Sequence, residues 1–560
     1  MNHWIIAPVV LPLMTGALML ALRRRAGLVA AASLASTAAL LAICVGLLIE
    51  ADGGRVGAYL VGNWQAPYGI VLVLDRLSAM LLVLTAALAL ATLVYARGGD
   101  DARGAHFHAL FQFQLMGVNG AFLTGDLFNL FVFFEVLLIA SYGLLLHGAT
   151  RARLRASLHY VGFNLVGASV FLIAVSLLYG ATGTLNMADL AQRVAELPPE
   201  RARLAHSAAL LLMVVFFVKA ALLPLHFWLP ATYGAASAPV AALFAIMTKV
   251  GVYAVLRTST LVFGEQAGLL ARIAEPWVST LALATIAVAA IGALASGRLR
   301  EQIGYLVIGS AGTVLLGAGL GRPDTIAAGL FYLVNSTFAA AALFLVADRV
   351  AAGRGEVDDT LAPASFDASR ERLGVVFFAC AIAAAGVPPL AGFLGKTMLL
   401  QAAGAGAWGG WIVAIVLASS LLVMVALARS GSVLFWSPAA VQARAAAAPS
   451  APRGAPVPPG PTPALPGGPG PLPSRAPHGL ALALLLAAIL GCTAAAGPIA
   501  RYALDAAAQL LDRRAYLDAV LGARPAPPAY DVRREMRERR DAQPLAGDPP
   551  PRKAGQAPQP

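Results

Sequence analysis

The sequence predicts an all-α polytopic membrane protein with about fourteen transmembrane helices. Hydrophobic residues make up 59% of its 560 residues and charged residues only 12%, and the mean hydropathy is +0.75. These values lie far outside the range of soluble proteins and are typical of chains that cross a bilayer. Apolar windows of about 20 residues, the length that spans a bilayer as a helix, recur along the chain.

These windows place the predicted spans in order. The first runs from Trp4 to Leu22 and precedes three arginines. It lacks a basic leader and a clear cleavage site, so we interpret it as a retained helix and not as a signal peptide. The spans begin near residues 5, 27, 72, 108, 127, 158, 206, 234, 277, 302, 325, 373, 408 and 480.

Arginine is distributed unequally between alternate connections, which predicts the topology. By the positive-inside rule, the richer set lies in the cytoplasm and the N-terminus lies outside. The net charge of +12 therefore comes from basic residues whose positions indicate the topology, and it does not indicate nucleic-acid binding. The richer set holds Arg23–Arg25, Arg97, Arg103, Arg151, Arg153, Arg155, Arg298, Arg300, Arg349, Arg354, Arg370 and Arg372. The poorer set holds Arg55, Arg193, Arg201, Arg203, Arg272 and Arg322.

One apolar segment contains a charge and a helix break, in the run FFVKAALLPLHFWLP. Lys219 lies deep in this segment, and Pro224 follows five residues later. An ammonium group at the bilayer centre costs roughly 2.5–3.5 kcal/mol, and a proline frees backbone carbonyls that need partners. Transporters build ion sites beside such breaks. The alternative is a lysine near a helix end that extends to the interface.

A second break, in CAIAAAGVPPLAGFLGKTMLL, has Pro388 and Pro389 followed by Lys396. Two broken spans in comparable places suggest two inverted repeats with a site at each break. We therefore divide the chain into N-terminal helices (1–107), a first repeat (108–264), a second repeat (277–436), a Pro/Ala/Gly-rich cytoplasmic loop (437–479), a last span (480–499) and a C-terminal part (500–560). The C-terminal part is predicted to hold an amphipathic helix over 501–521 and a disordered tail.

The placement of lysine indicates a need for a removable proton. The chain has four lysines, of which Lys219, Lys249 and Lys396 lie inside apolar segments and Lys553 lies in the tail. All other cationic side chains are arginines, which effectively never release a proton, whereas a buried lysine can. A GC-rich genome explains the scarcity of lysine but not its placement.

Other polar residues extend this pattern. Glu135 is surrounded by apolar residues, and a buried carboxylate needs a cation or a proton, so Lys219 is its predicted partner. A purely structural ion pair is the alternative. Lys249, with Thr248 beside it, lies near the centre of another span. His226 could pass protons between Lys219 and Lys249, or it could only satisfy the carbonyls that the break frees. Asp126 is predicted to cap a helix at the interface.

The sequence lacks the motifs of several classes of protein. No Walker loop, Rossmann glycine pattern, metal cluster or catalytic triad is present in the sequence. Cys44, Cys380 and Cys492 are isolated in apolar segments, without the spacing of a metal site or a disulfide framework. We therefore expect no nucleotide, flavin or metal cofactor, no enzymatic activity in this chain alone and no nucleic-acid partner.

Three segments carry a family resemblance: TGDLFNLFVFFEVLLIASYGLL, KAALLPLHFWLP and SAPVAALFAIMTKVGVY. They resemble the antiporter-like subunits shared by respiratory complex I and the multi-subunit Mrp-type (Pha/Mnh) monovalent cation/proton antiporters, and the first is most similar to the D-type subunits of the Mrp branch. The resemblance covers roughly residues 70–435. It implies fourteen helices, with two inverted five-helix repeats that each contain a broken helix.

The resemblance also implies roles for individual residues. Glu135 would be the glutamate of the fifth helix that pairs with Lys219 of the broken helix, Lys249 the central lysine of the eighth, and Lys396 the ionisable residue of the twelfth. One position departs from the pattern, because Asn335 stands where family members often carry histidine. Asparagine does not titrate, so a proton hop from Lys249 to Lys396 would need water or another side chain.

The leading hypothesis is a subunit of an antiporter in a bacterial inner membrane, with a periplasmic N-terminus, that exchanges external protons for cytoplasmic Na⁺, K⁺ or Li⁺ in pH homeostasis. The resemblance implies partner subunits of the A, B, C, E, F and G types. The second hypothesis is a proton-pumping module of complex I or of a membrane-bound hydrogenase. The third is a scaffold that transports nothing, against which the lysine placement argues.

Overall fold

A computed structural model describes residues 2–366, 370–404, 406, 408–436 and 475–526. Helices make up most of this part of the chain. The elements below belong to one compact unit, Met1–Ala523. The first half contains α1 (Ala7–Ala21), α2 (Ala26–Asp52), α3 (Arg76–Ala96), α4 (Phe107–Leu123), α5 (Leu127–Leu146), α6 (Arg151–Thr182), α7 (Met187–Ala195), α8 (Pro199–Ala220), α9 (Trp228–Ala235), α10 (Ala238–Phe244) and α11 (Met247–Arg257).

The second half continues the bundle. It contains α12 (Glu275–Ala295), α13 (Leu299–Gly319), α14 (Pro323–Arg354), α15 (Arg370–Ala385), α16 (Ala391–Gly404), α17 (Gly409–Gly431), α18 (Arg475–Ala494), α19 (Ala496–Leu511) and α20 (Arg514–Leu521). Helix α14 is buried along nearly its whole length and packs against α10, α13, α15, α16, α18 and α19. It therefore forms the centre of the second half.

The membrane fold is confirmed, while the exact number of spans stays a prediction. Within the described residues, eleven helical stretches are long and apolar enough to cross a membrane, and α1 is a shorter apolar helix. The remaining predicted spans correspond to α4 and to the pair α15 and α16, which are shorter. The predicted Pro-rich loop falls largely on 437–474 and the predicted tail largely on 527–560, both outside the described residues.

A short β-hairpin precedes the third span, whose helix begins at Arg76, within about four residues of the predicted start near residue 72. Strands β1 (Gly57–Leu60) and β2 (Val71–Leu74) pair in antiparallel register. The hydropathy window near residue 72 includes the valine and leucine run of β2, which suits a strand equally well because apolar runs of this length are ambiguous. Helix α3 begins only after Asp75, whose Oδ1 accepts from the backbone N–H of Ser78 at 2.9 Å.

Helix α6 also begins earlier than predicted, at Arg151 rather than near residue 158. Its first five residues include three arginines, which a hydropathy window excludes from an apolar span. Thr150 caps the helix through its Oγ1, which accepts from the backbone N–H of Arg153 at 3.3 Å. The helix therefore projects its basic first turn beyond its apolar part.

The first break leaves backbone groups that side chains from neighbouring segments satisfy. Helix α8 ends just after Lys219, and the chain resumes helical structure at Trp228. Within the break, the N–H of Leu223 donates to Thr285 Oγ1 of α12 at 2.9 Å. The Trp228 indole N–H donates to the carbonyl of Val218 at 3.2 Å. A broken helix at membrane depth requires such partners because lipid supplies none.

The second break uses two predicted site residues in the same way. Pro388 and Pro389 lie between α15 and α16. The Lys396 Nζ donates to the carbonyl of Ala385 at 2.8 Å. The Asn335 Nδ2 donates to the carbonyl of Ala383 at 3.2 Å. The freed carbonyls at the end of α15 are thus bound by α16 and α14.

The arginine-rich connections come together at one end of the bundle. Arg300 pairs with Asp348 at 3.2 Å, and Asp348 also accepts from the Tyr95 hydroxyl at 2.7 Å. Asp100 lies beside Arg103 at 3.2 Å, and burial raises the pKa of its carboxyl to about 6, with Asp348 adding to the increase. These contacts join the ends of α3, α13 and α14, as the alternating arginine pattern requires.

The opposite end of the bundle contains a buried ion pair. Arg257 Nη2 lies 2.6 Å from Asp75 Oδ2, and each side chain is only 3% exposed. The guanidinium lies 5.2 Å from the ring centroids of both Tyr253 and Tyr516. Tyr516 belongs to α20, so residues 501–521 form parts of two helices, with α20 packed over this pair.

Candidate ion-translocation site

Lys219 lies in the last turn of α8, with its side chain buried towards α6. Its Nζ donates to Asn164 Oδ1 at 2.9 Å, and the side chain is 6% exposed. Gly167 lies one turn along α6, where a Cβ would approach the Lys219 Nζ to 4.0 Å. Asn164 and Gly167 thus supply an acceptor and space for the ammonium group. Asn164 was missed in the sequence, although it interrupts an apolar run.

Glu135 interacts electrostatically with Lys219, but the two groups are not in direct contact. Among the described residues, no ion pair involves Glu135, and its Oε1 is buried without a hydrogen-bond partner. The ring of Phe134 lies near the ammonium instead, 5.8 Å from the Lys219 Nζ to the ring centroid. The two side chains extend in different directions. Lys219 extends towards Asn164, whereas the half-buried Glu135 lies on a partly exposed face of α5.

Lys249 is the most deeply buried of the three lysines. It lies in the first turn of α11 with 0% of its surface exposed. Its Nζ donates to Ser310 Oγ of α13 at 2.8 Å and to Thr248 Oγ1 at 3.3 Å. Thr248 therefore supports the lysine, while the closer contact, Ser310, was not among the predicted residues.

Lys396 lies in α16 and is held between two acceptors. Besides the Ala385 carbonyl in the second break, its Nζ donates to Ser420 Oγ of α17 at 2.9 Å. Ser420, like Ser310, was missed because a serine in an apolar helix carries no distinguishing sequence signal. Serine in such helices commonly bonds only to its own backbone.

The remaining predicted residues have distinct positions. His226 is half-buried within the first break, and no hydrogen bond joins it to any of the three lysines in the described part of the chain. Asn335 contacts the end of α15, as described above. Asp126 Oδ1 accepts from the backbone N–H of Asn129 at 2.8 Å and thereby caps α5.

Each membrane lysine thus faces neutral acceptors. An amide, hydroxyls and one backbone carbonyl contact the ammonium groups, and no carboxylate pairs with any of them among the described residues. Glu135 acts on Lys219 only electrostatically, and a buried charge without a directly paired counter-ion is costly, a cost that loss of its proton removes. This arrangement can therefore hold and release protons. Within the described ranges, no group of three His, Cys, Asp or Glu side chains could hold a metal ion.

Comparisons with known proteins agree with these features. A family model described as "NADH:quinone oxidoreductase/Mrp antiporter, TM" matches residues 124–423. The D subunit of a probable K⁺/H⁺ antiporter from Rhizobium meliloti (strain 1021) is 43% identical over 471 residues, covering 78% of this chain and 87% of the relative. The D subunit of a Na⁺/H⁺ antiporter from Bacillus subtilis (strain 168) is 36% identical over 444 residues, with the same coverage.

Solved structures share the fold. The Mrp complex from Dietzia sp. DQ12-45-1b contains a chain with a TM-score of 0.78 and 28% identity, which covers 93% of this chain and 100% of that chain. Respiratory complex I from Thermus thermophilus contains one with a TM-score of 0.71 and 24% identity, over 93% of this chain and 100% of that chain, a likeness of fold alone. The chain belongs to the NADH:quinone oxidoreductase/Mrp antiporter family, and the relatives that it resembles in sequence are the D subunits of cation/proton antiporters.

Proposed function

We propose that the chain is the proton-conducting membrane subunit of a multi-subunit monovalent cation/proton antiporter. Protons would move along Glu135, Lys219, Lys249 and Lys396, in exchange for cytoplasmic Na⁺, K⁺ or Li⁺. One observation carries the proposal: three lysines lie inside the membrane fold, and each contacts only neutral acceptors. The names of the relatives, which are D subunits of K⁺/H⁺ and Na⁺/H⁺ antiporters, support the same function.

The lysines are poor candidates for a purely structural role. Each ammonium group at mid-membrane costs roughly 2.5–3.5 kcal/mol, and a structural charge would be paired with a carboxylate to offset that cost. Neutral acceptors can accept from an ammonium and, more weakly, from an amine, because both carry N–H donors. They therefore permit the protonation state to change without the loss of a partner.

The position of Glu135 supports assembly with other membrane subunits. It lies on the same face of α5 as Val132 and Ile139, which are 39% and 65% exposed. A carboxyl group on such a face would be costly against lipid, so a neighbouring subunit with a polar or cationic group fits there. We assign this role to partners of the A, B, C, E, F and G types, in a bacterial inner membrane with the N-terminus in the periplasm.

The alternative is a proton pump driven by redox partners, as in complex I. The likeness to complex I concerns the fold, whereas the relatives with higher identity are antiporter subunits. Antiport is therefore the favoured function.

Exchange in everted membrane vesicles tests the proposal. Vesicles from cells that express the complete gene cluster are expected to dissipate a respiration-driven pH gradient when K⁺, Na⁺ or Li⁺ is added. Vesicles that lack only this chain are expected not to respond, because the proton path is missing. Cation-dependent exchange that persists without this chain would contradict the proposal.

A further inference from the structure

Asn335 of α14 cannot carry a proton in the step from Lys249 to Lys396, because an amide does not titrate. We propose, on the basis of the antiport function above, that protons pass α14 through a small hydrated cavity lined by hydroxyl groups. In this route Ser310 of α13 is the link between Lys249 and the cavity, and Asn335 has a structural role.

Ser310 connects the central lysine to this cavity. Its Oγ accepts from the Lys249 Nζ at 2.8 Å and donates to the Val307 carbonyl of its own helix at 2.8 Å. The side chain is 3% exposed and also forms part of the cavity wall. One residue therefore contacts the lysine and lines the cavity, and in the proposed route rotation about its C–O bond redirects the hydroxyl proton from the carbonyl to the cavity.

The cavity has the size and lining for a short chain of water molecules. Its volume is about 40 Å³, and one water needs roughly 10–15 Å³, so about three fit. Helices α12, α13, α14, α15, α16 and α17 contribute to its wall. Hydroxyl groups on the wall come from Ser310, Thr313, Tyr305, Tyr332, Ser419 and Ser420. Water needs two to four polar partners in such a site, and these residues supply them.

Lys396 lies at the other end of the cavity. Its side chain forms part of the wall, and its Nζ donates to Ala385 O and Ser420 Oγ. A lysine amine has two N–H donors and one lone pair, whereas the ammonium has three donors. With two donors occupied, the third position of the nitrogen remains to receive or give a proton.

Asn335 does not offer an equivalent route. Its Nδ2 is bound to the Ala383 carbonyl at 3.2 Å, and a Cβ on Gly392 would lie 2.8 Å from it. The residue is outside the set that lines the cavity. Its contact holds the freed end of α15, which is a structural role.

Atoms and charge balance in this transfer. The Lys249 ammonium gives one proton to Ser310 Oγ while Ser310 gives its own hydroxyl proton to a water in the cavity. That water passes a proton along the chain, and the last water protonates the neutral amine of Lys396. Lys249 ends as an amine and Lys396 as an ammonium, and no other group changes its charge.

An isosteric pair of substitutions tests the role of the hydroxyl. Threonine and valine have nearly the same shape, so Ser310→Thr and Ser310→Val add the same bulk but differ in the hydroxyl group. We expect Ser310→Thr to keep most of the cation/proton exchange of the whole complex in everted vesicles. We expect Ser310→Val to lower the exchange rate about 10-fold or more, because the proton loses its carrier at this step. Assembly of the complex is measured for both variants.

A matched control is Ser336→Ala on α14. Ser336 is also buried and donates to the i−3 carbonyl, Leu333, at 3.1 Å, but it contacts no lysine. We expect the Ser336→Ala complex to exchange cations and protons at the wild-type rate. If the Ser310→Thr and Ser310→Val complexes exchange cations and protons at the same rate, the inference is wrong. The proposed function still stands in that case, because the wild-type complex is active. If Asn335→Ala lowers exchange in an assembled complex as much as Ser310→Val does, Asn335 is more than a structural residue and the inference is also wrong. An inactive wild type would refute the proposed function instead.

Discussion

Replacement of Lys249 by methionine is expected to abolish cation/proton exchange in an assembled complex. Lys249 is fully buried, and its Nζ is the donor to both Thr248 and Ser310. Methionine has similar length and is unbranched, so it fills the space without a new polar group. Ser310 keeps its bond to its own helix. Folding should therefore survive, while the central proton carrier is gone.

The expected loss is large, on the order of 100-fold or more, because a positioned proton carrier typically contributes that much to a rate. Exchange is measured in everted vesicles and assembly by co-purification of the partner subunits. Lys553→Met, the same change in the remaining lysine, is the matched control and should exchange normally. Wild-type exchange by an assembled Lys249→Met complex would show that Lys249 carries no protons.

The second large effect is expected from Arg257→Leu, on stability rather than on transport. Arg257 and Asp75 are both 3% exposed and 2.6 Å apart. Removal of the guanidinium leaves the Asp75 carboxylate buried without a counter-ion, which typically costs about 3–5 kcal/mol. The stacking with Tyr516 of α20 is lost as well. We expect a lower unfolding temperature of the purified complex and earlier proteolysis of the C-terminal helices.

Two further variants test this explanation. Asp75→Asn in the Arg257→Leu background removes the unpaired charge, and asparagine can still cap α3; stability should largely return. Arg97→Ala breaks the pair with Asp101, in which the arginine is 44% exposed, and should cost at most about 1 kcal/mol. If Arg257→Leu costs no more than Arg97→Ala, the buried pair does not stabilise the fold.

The sequence predicts the membrane fold and the position of the lysines well, for a physical reason. A charge or a proline within an apolar window is energetically anomalous, so Lys219, Lys249 and the Pro388–Pro389 break can be recognised without knowledge of any contact. The resemblance of three segments to a family adds the roles of those residues. These signals are local in the chain.

The partners of the lysines could not be predicted because they depend on packing between distant segments. Asn164 is 55 residues from Lys219, and Ser310 is 61 residues from Lys249. Side-chain direction decides the direct contact of Lys219, whose Nζ donates to Asn164 on α6, while Glu135 on α5 interacts with it only electrostatically. The β-hairpin was missed because a short apolar run suits a strand or a helix.

The most direct test of proton transfer compares Lys219→Arg with Lys219→Ala. Arginine keeps the charge beside Asn164 but does not release its proton, whereas alanine removes the charge. Exchange in everted vesicles, with assembly measured in parallel, separates proton transfer from charge. The proposed mechanism predicts that neither variant exchanges in an assembled complex. Normal exchange by Lys219→Arg would show that the lysine is only a structural charge, and the proton path through Lys219 would be refuted.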